Sequence, residues 1–364
     1  MENPIRIFFA GDFCSKPSTS KISVSSELMD LIQSCDLKVV NFEIPLKPDV
    51  KLPLQKRERF YQNDDAPEFL RGLGFNLFSQ ANNHAFDWGD DGFLKTKAAL
   101  GDAAFGAGTY DEAYKVKVME VHGTRIGFLG LSFAAYKGVF DDVTNHEGLG
   151  CAYINDLRVN HDIIEAKKNV DFLFVLPHDG IEYIDIPTPE TIARYRDFID
   201  YGADGVIAAH PHCPQGWEEY KGKPIFYSLG NFFFNSKEDY SFRAQKPHWY
   251  EGLCVVATIT EGNLSWEVVN TKNVDNVGIE TDHNENRKRN NEQLCLYITD
   301  KKEYDSYIKK LCKRQRKSVM RLFEKTMLTH WLKRIRKNTK AEDNELAFLM
   351  KNDQRRNLVV RSLS

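Results

Sequence analysis

The sequence predicts an α/β fold in which mixed β-sheets are layered and helices lie outside them. Short apolar runs typical of buried strands alternate with amphipathic segments at helical spacing, and two pairs of strand-like runs are joined by short polar turns. Hydrophobic residues make up 42% of the 364 residues, which is enough to bury one large core or two modest ones. Together these observations indicate a layered α/β protein without internal repeats.

The predicted strands are short apolar runs. In chain order they cover residues 5–10, 37–40, 75–79, 116–121, 126–131, 171–176, 205–209, 225–228, 253–260 and 264–269. Apolar residues that recur every three or four positions predict helices over residues 25–35, 92–100 and 189–201. The paired runs within 116–131 and 253–269 enclose turns that contain glycine, which predicts two β-hairpins.

Residues 271–295 are predicted to be a polar linker between a domain over residues 1–270 and a basic helical extension over residues 296–364. From about residue 270 the chain loses its apolar periodicity and becomes rich in polar and charged residues. In the extension, apolar residues recur near helical spacing between Lys and Arg residues. Two interpretations stay open: the apolar stripe caps the domain, or residues 301–364 bind a membrane surface or an acidic protein partner.

Charge is distributed unevenly along the chain. Residues 301–364 contain 19 Lys and Arg against 7 Asp and Glu, a net charge of +12, whereas the whole chain carries -3. The body of the protein is therefore acidic, and it contains no motif that reads base edges. These two observations exclude nucleic acid from the predicted partners.

The seven cysteines predict a reducing compartment. Their number is odd and none of them is spaced as C-x-x-C, which argues against a disulfide framework and against a zinc knuckle. The first residues lack the basic and apolar regions of a signal peptide, and no apolar stretch approaches the length of a membrane span. A cytoplasmic protein is expected, peripheral to the inner membrane face if the basic extension binds lipid.

Ligand-type side chains follow five of the predicted strands, each near the point where the strand ends. They are Asp12, Glu43, the pair Asn83-His84, His178, and the pair His210 and His212. Because strand ends in an α/β sheet meet at one rim, these side chains are expected to lie close together. Carboxylate, amide and imidazole groups are ligands of divalent metals, so the sequence predicts a metal site at this rim.

Several residues near this rim have two interpretations. Asn83 by itself is also typical of a tight turn. Asp87 either orients His84 or caps the helix that follows, and the cap is the favoured interpretation. Asn231 either hydrogen-bonds to the metal site or fixes a strand and its turn, and Glu182 is expected to line the pocket.

Seven motifs of this chain resemble those of the CapA-type family of capsule and poly-γ-glutamate synthesis proteins. They occur in family order and read A-G-D-F at 10–13, N-F-E-I-P at 41–45, A-N-N-H-A-F-D-W-G at 81–89, G-A-G at 106–108, H-D-G-I-E-Y at 178–183, G-A-D-G-V-I-A-A-H-P-H at 202–212 and I-F-Y-S-L-G-N-F-F-F at 225–234. The resemblance covers about residues 5–260 and leaves residues 270–364 outside. It implies a metallophosphoesterase-like fold, a layered sandwich of mixed β-sheets flanked by helices.

The resemblance also implies two divalent ions that are bridged by the carboxylate of Glu43. The ligands implied for the two ions are Asp12, Glu43 and His212 for one, and Glu43, Asn83, His178 and His210 for the other. His84 is then the catalytic residue, a general acid that protonates the leaving oxygen. Mixed nitrogen and oxygen ligands suit Mn²⁺, Zn²⁺ or Fe, and the sequence does not choose among them.

Two residues depart from the family's pattern. Cys14 stands where phosphoesterases of the superfamily have the His of an Asp-x-His motif, which leaves a mononuclear site as an alternative. Cys14 itself is either a thiolate ligand or, as we expect, a buried structural cysteine. Asp179 replaces an aromatic residue after His178 and adds a carboxylate near the rim.

The implied function is that of a metal-dependent hydrolase or transferase acting on a phosphoryl, acyl or amide bond in the synthesis of a capsule or of poly-γ-glutamate. An anionic polymer or a small phosphorylated or acyl substrate is the expected partner. Two alternatives stay open: a non-catalytic component of a synthesis complex that binds metal or polymer, and a phosphoesterase acting on an intracellular metabolite. Retention of His84 and of the predicted ligands favours catalysis, whereas Cys14 favours the non-catalytic component.

Overall fold

The structure is a computed structural model, and the residues it describes are 3–49, 60–134, 138–141, 146–235, 246, 248–314, 316–317, 356–357 and 360–361. The predicted layered α/β architecture with mixed sheets is confirmed. Two β-sheets face each other across a shared core, and helices cover the outer face of each sheet. The order of layers is therefore helix, sheet, sheet, helix.

The described residues form the strands of two sheets and of one short pair. In chain order the strands are β1 (Ile5–Ser15), β2 (Ser23–Val24), β3 (Leu37–Phe42), β4 (Leu77–Ser79), β5 (Ala104–Phe105), β6 (Ala107–Gly108), β7 (Lys117–Val121), β8 (Thr124–Ser132), β9 (Gly150–Cys151), β10 (Phe172–His178), β11 (Gly205–Ile207), β12 (Trp217–Tyr220), β13 (Lys223–Phe226), β14 (Asn231–Asn235), β15 (Glu251–Thr260), β16 (Asn263–Val274) and β17 (Gly278–Thr281). The larger sheet has the order β2-β17-β16-β15-β1-β3-β4-β5, with β14 also paired to β1. The second sheet has the order β12-β13-β11-β10-β8-β7, and β6 pairs with β9.

The helices cover the two outer faces of this sandwich. In chain order they are α1 (Ser26–Gln33), α2 (Ala66–Gly72), α3 (Gly89–Leu100), α4 (Tyr110–Tyr114), α5 (Leu157–Lys167), α6 (Pro189–Tyr201) and α7 (Glu285–Thr299). Leu28 of α1 and Leu70 of α2 pack in the cluster outside the larger sheet. Ile163 of α5 and Phe198 of α6 pack in the cluster outside the second sheet.

Strand β1 shows why a continuous apolar run lies at the centre of the molecule. Side chains alternate between the two faces of a strand. Ile7 and Phe9 therefore enter the core between the two sheets, whereas Phe8 and Ala10 enter the core beneath α1 and α2. A strand buried on both faces needs apolar residues at every position, and the sequence I-R-I-F-F-A comes close to that pattern.

β1 extends to Ser15, past its predicted end at residue 10, because it exchanges one partner strand for another. Its first half pairs with the antiparallel strand β15, and from Asp12 onward it pairs with the parallel strand β14. The backbones meet closely at this exchange: a Cβ atom on Gly11 would lie 1.9 Å from the carbonyl oxygen of Gly230. Only glycine fits there, and the exchange fixes the position of Asp12.

The predicted polar linker over residues 271–295 is wrong. β16 continues into this segment, β17 adds a further strand to the larger sheet, and α7 follows. Asn273 is buried there, donates from Nδ2 to the carbonyl oxygen of Phe232 and accepts from the N–H of Phe234. Part of this segment is thus buried through polar side chains that are hydrogen-bonded. Such burial leaves no apolar periodicity in the sequence, which is why the sequence predicts a linker there.

Residues 301–314 form a further helix that covers the second sheet. Its side chains Tyr304, Ile308 and Leu311 pack in the core beside α6. In this part of the chain the apolar stripe therefore caps the domain. The part of the predicted apolar stripe that runs from residue 318 to residue 335 lies outside the described residues. No helix within the described part of the chain has both the length and the apolar composition that crossing a bilayer requires.

Candidate metal centre

Three of the predicted ligands come from the larger sheet. Asp12 lies in β1, Glu43 directly follows β3, and Asn83 lies in the loop after β4. β3 pairs in parallel with both β1 and β4, so the carboxyl ends of these strands fall on the same side of the sheet. All three side chains are buried at that rim.

The other three predicted ligands are histidines from the second sheet. His178 is the last residue of β10, and His210 and His212 lie in the loop after the parallel strand β11. His210 and His212 have φ angles of 104° and 54°. A non-glycine residue in this backbone region costs on the order of 1–3 kcal/mol, which the surrounding fold must offset. Such strain is typical of residues that are held in place for function.

The carboxylate and imidazole ligands form two groups that share Glu43. One group contains Asp12, Glu43 and His212, the other contains Glu43, His178 and His210, and the ligand atoms of each group lie within 4.8 Å of one another. Oε1 of Glu43 is 3.7 Å from Nε2 of His178 and 3.6 Å from Nε2 of His212. Glu43 therefore lies between the two groups, at the position of a bridging ligand.

Asn83 completes the second group. Its Oδ1 atom lies 2.8 Å from Nε2 of His178, and Nδ1 of His210 lies 3.2 Å from the same nitrogen. The ring of Phe133 packs against the ring of His210, with centroids 4.4 Å apart. Amide, imidazole and carboxylate atoms thus meet beside an apolar wall, a donor set that suits a borderline divalent cation.

The surroundings of Glu43 would suit a carboxylate that binds a cation. Its side chain is fully buried, and neither carboxylate oxygen has a hydrogen-bond partner among the described residues. Burial raises the pKa of Glu43 well above its usual range, and the nearby charges of Asp12, Glu182 and Asp87 raise it further. A divalent cation between the two groups would give both oxygens a partner and would reverse this effect. The residues present therefore fit a metal.

The same electrostatic environment acts on Asp12 and His178. Burial raises the pKa of Asp12, although the charge of His212 and a hydrogen bond from Asn41 oppose this change. Burial lowers the pKa of His178 well below its usual range, and the charges of His212 and His84 lower it further. The neutral imidazole that results is the form that binds metals.

Asn41 and Asn82 take part in the site, and the sequence analysis missed both. Nδ2 of Asn41 donates to Oδ1 of Asp12 at 2.7 Å and lies 3.0 Å from Nδ1 of His178, while Asn82 donates to Oδ1 of Asn41 at 3.3 Å. These amides orient one ligand from each sheet. Asn41 precedes Glu43 by two positions, the spacing that places residues on one face of a strand, and this spacing is the signal that would have found it.

His84 lies at the edge of the site, with 13% of its side chain exposed. Its Nε2 atom is 3.9 Å from Oε1 of Glu43, and its Nδ1 atom is 2.9 Å from Oδ2 of Asp87. The favoured interpretation of Asp87 as a helix cap is wrong, because α3 begins at Gly89 after Trp88 and no side chain caps it. Asp87 instead orients His84, since its carboxylate accepts from Nδ1 and leaves Nε2 facing the ligand groups.

Asn231 lies in a strand of the larger sheet and also contacts a predicted ligand. It is the first residue of β14 and pairs in register with Asp12, and its Oδ1 atom lies 2.9 Å from Nδ1 of His212. Glu182 is half-buried and close enough for its charge to raise the pKa of Glu43. Both residues thus lie around the ligands rather than among them.

The two departures from the family's pattern lie beside the site. Cys14 is buried in an apolar cluster with Ile44, Phe234 and Trp249, and it belongs to neither ligand group. This environment suits a structural cysteine and not a thiolate ligand. Asp179 is also buried, and its N–H donates to the carbonyl oxygen of Ala209.

A family model described as "Bacterial capsule synthesis protein PGA_cap" matches residues 6–236, which is more than half of the chain. The chain belongs to this family. The match confirms the resemblance to capsule and poly-γ-glutamate synthesis proteins. All of the predicted ligands, together with His84 and Asn231, lie within the region shared with PGA_cap proteins, whereas Trp249 and α7 lie beyond it.

Two relatives and one solved structure illustrate what this PGA_cap chain is similar to. "PGA biosynthesis protein CapA" of Bacillus subtilis (strain 168) is 31% identical over 220 residues, which are 58% of this chain and 57% of that protein. "Capsule biosynthesis protein CapA" of Bacillus anthracis is 30% identical over 215 residues, which are 56% of this chain and 52% of that protein. The chain thus spans little more than half the length of each relative. A novel phosphatase from Mycoplasma pneumoniae has 17% identity and a TM-score of 0.46, covering 74% of this chain and 94% of that chain.

Proposed function

We propose that this PGA_cap protein is a metal-dependent hydrolase or transferase that cleaves a phosphoryl, acyl or amide bond. One observation carries the proposal: the buried carboxylate of Glu43 has no hydrogen-bond partner among the described residues, while two groups of ligand-type side chains flank it. Family membership and the names of the two relatives support a role in the synthesis or trimming of a capsule or poly-γ-glutamate polymer.

The two groups would hold one or two divalent cations such as Mn²⁺, Zn²⁺ or Fe. The residues that would bind them are Asp12, Glu43 and His212 on one side, and Glu43, Asn83, His178 and His210 on the other. Bound there, a divalent cation supplies Lewis acidity toward an oxygen of the substrate and makes water acidic enough to act as a nucleophile near neutral pH. The protein's part is to hold the ligands in this arrangement and to exclude bulk water.

His84 handles the proton in this proposal. Because Asp87 accepts from Nδ1, a protonated His84 presents the N–H of Nε2 to the space beside Glu43, where a leaving oxygen would receive it. Its side chain is partly exposed whereas that of Glu43 is fully buried, so His84 can regain a proton from solvent after each reaction. A positioned general acid contributes about 10²–10⁴-fold to a rate.

The first test is metal content, measured by elemental analysis on protein purified without chelators and dialysed against Mn²⁺ or Zn²⁺. We expect about two ions per wild-type chain, as two-metal hydrolytic sites bind, and a sharp fall for Glu43→Ala. The matched control is Glu267→Ala, because Glu267 is an exposed carboxylate on β16 that pairs with Arg6. This control should retain the wild-type metal content.

Other outcomes separate the alternatives. About one ion per wild-type chain would indicate the mononuclear alternative. A folded wild-type protein that takes up no metal would contradict the proposal and would favour a non-catalytic component that binds an anionic polymer. Metal-loaded protein is then assayed with p-nitrophenyl phosphate, bis(p-nitrophenyl) phosphate and γ-glutamyl peptides, and metal-dependent turnover of one of them identifies the type of bond.

A further inference from the structure

We infer that Arg287 of α7 is a positioning residue for the predicted ligand His212. The structure connects the two residues through the turn over residues 248–251, which contains Glu251 and Trp249, and through Asn231. The inference rests on the metal-binding role of His212 in the proposed function. It assigns part of the metal site to a segment that lies beyond residue 236, where the match to the PGA_cap family ends.

Arg287 is buried, with 4% of its surface exposed, and a buried guanidinium requires a charged partner. Nη1 of Arg287 lies 2.5 Å from Oε2 of Glu251. The same carboxylate oxygen accepts from Nδ1 of His248, and the N–H of Glu251 donates to the carbonyl oxygen of His248 at 3.1 Å. Arg287 therefore fixes the turn over residues 248–251 against α7.

This turn sets the orientation of the Asn231 amide. Nδ2 of Asn231 donates to the backbone carbonyl oxygen of Trp249 at 2.9 Å. A carbonyl oxygen only accepts hydrogen bonds, so the amide must present its NH₂ group to Trp249 and its oxygen to the other side. The ring of Trp249 also packs against the ring of His212, with centroids 5.1 Å apart.

The orientation of Asn231 in turn sets the tautomer of His212. Oδ1 of Asn231 lies 2.9 Å from Nδ1 of His212, and an amide oxygen has no hydrogen to donate. Nδ1 must therefore carry the proton, which leaves the lone pair on Nε2 free to bind a cation. Nε2 is the ring nitrogen that lies 3.6 Å from Oε1 of Glu43. A hydrogen bond of this kind to the second ring nitrogen of a ligand histidine both orients it and raises its basicity.

The test compares Arg287→Met with the control Arg196→Met. Arg196 also pairs with a carboxylate, Glu218, through Nε at 2.8 Å and Nη2 at 2.6 Å, but this pair joins α6 to β12. Both variants should lower the melting temperature. Only Arg287→Met should weaken the binding of one Mn²⁺ ion, by about 10–100-fold, while the ion on the side of His178 and His210 binds as in wild type. Arg287→Lys keeps the charge and should recover part of the lost affinity.

A second measurement does not depend on a metal. The measurement is the NMR spectrum of metal-free protein with ¹⁵N-labelled histidine, in which the His212 resonances are assigned by comparison with His212→Gln. In wild type and in Arg196→Met, the chemical shifts of the two ring nitrogens should be those of the tautomer with the proton on Nδ1. In Arg287→Met the chemical shifts of the same nitrogens should move toward the average of the two tautomers. If Arg287→Met does not fold, Arg287→Met combined with Glu251→Leu carries the same test, because removing both charges avoids an unpaired buried carboxylate.

The inference is overturned if Arg287→Met melts at a lower temperature but keeps wild-type affinity for both ions and unchanged His212 resonances. Arg287 would then be a structural residue only. If wild-type protein binds no Mn²⁺, the proposed function fails, and the His212 resonances still decide whether Arg287 positions that ring.

Discussion

Around Glu43 and around Asn273 the protein buries polar side chains to a similar depth, but their partners differ. Glu43 is fully buried, and its carboxylate oxygens have no hydrogen-bond partner among the described residues. Asn273 is 9% exposed, donates to the carbonyl oxygen of Phe232 at 2.9 Å and accepts from the N–H of Phe234 at 3.4 Å. The second arrangement joins β16 to β14, whereas the first would disfavour the folded state unless a cation bound there.

This difference distinguishes a functional polar cluster from a structural one. Buried polar groups in folded proteins almost always have hydrogen-bond partners, so a buried carboxyl group without one needs an explanation. Asn273 follows the rule and stabilises the sheet. Glu43 departs from it at the rim where the other ligand-type side chains converge, which is where a departure indicates function.

The largest expected effect comes from removing the region around Asn273. A chain that ends after Thr271 loses Asn273, β17 and α7, and it leaves Glu251 without Arg287. Several buried polar contacts worth about 1–3 kcal/mol each are then lost, against a typical total stability of about 5–15 kcal/mol. We expect this chain to aggregate and to show no cooperative unfolding transition by circular dichroism.

A chain that ends after Lys317 is the matched control, because it keeps Asn273, β17, α7 and the helix over residues 301–314. It loses the ion pair between Arg361 and Glu190, which is partly exposed and contributes little. This chain should unfold cooperatively. A folded and metal-binding chain ending after Thr271 would restore the interpretation of residues 271–295 as a linker.

The convergence of ligand-type side chains at one rim could be predicted from the sequence because its signal is local. Asp12 and His178 each follow an apolar run, and the ends of parallel strands meet at one rim whatever the rest of the chain does. The residue types alone then indicate metal chemistry. Family motifs added the division of the ligands into two groups.

The burial of residues 271–295 could not be predicted, and the local sequence favoured the wrong one of the two interpretations of Asp87. Asn273 bonds to residues 39 and 41 positions away, so its segment resembles solvent-exposed chain until β14 is in place. Asp87 accepts from the N–H of Phe60 as well as from His84, and neither contact is visible in the local pattern of a helix start. Polar residues that are buried by long-range hydrogen bonds leave no periodicity to detect.

The second largest effect is expected from a substitution beside Glu43. We expect His84→Asn to lower kcat by about 10²–10⁴-fold on any substrate that the wild type turns over, because the variant lacks the general acid. Its metal content should stay at the wild-type level, since neither ligand group includes His84. Steady-state kinetics and elemental analysis on the same preparation measure both quantities.

His161→Asn is the control for this variant, because the His161 side chain is 72% exposed on α5. It should have wild-type kcat and metal content. Loss of metal in His84→Asn would identify His84 as a ligand and would remove the assignment of the proton donor. Unchanged kcat with normal metal content would show that another group protonates the leaving oxygen.

The smallest expected effect compares the two kinds of buried polar group directly, in metal-free protein with a chelator present. Because burial raises the pKa of Glu43 above the usual 4.5, the folded protein binds this proton more tightly than the unfolded chain does. Its contribution to stability therefore falls as the pH rises above that value. Glu43→Gln removes this fall. Measured by urea unfolding, the free energy of unfolding of Glu43→Gln should equal that of wild type near pH 5. At about pH 8 it should exceed that of wild type by roughly 1–3 kcal/mol.

The effect of Asn273→Ala on stability should not depend on pH, because the two hydrogen bonds that it removes involve no charged group. It should be less stable than wild type by about 2 kcal/mol at both pH values. Mn²⁺ at 100 times its Kd should then stabilise wild type and Asn273→Ala by about 2.7 kcal/mol for each ion bound, and Glu43→Gln far less. If Glu43→Gln is instead destabilised at both pH values in chelator, the carboxylate stabilises the fold by itself, and the contrast between the two regions does not hold.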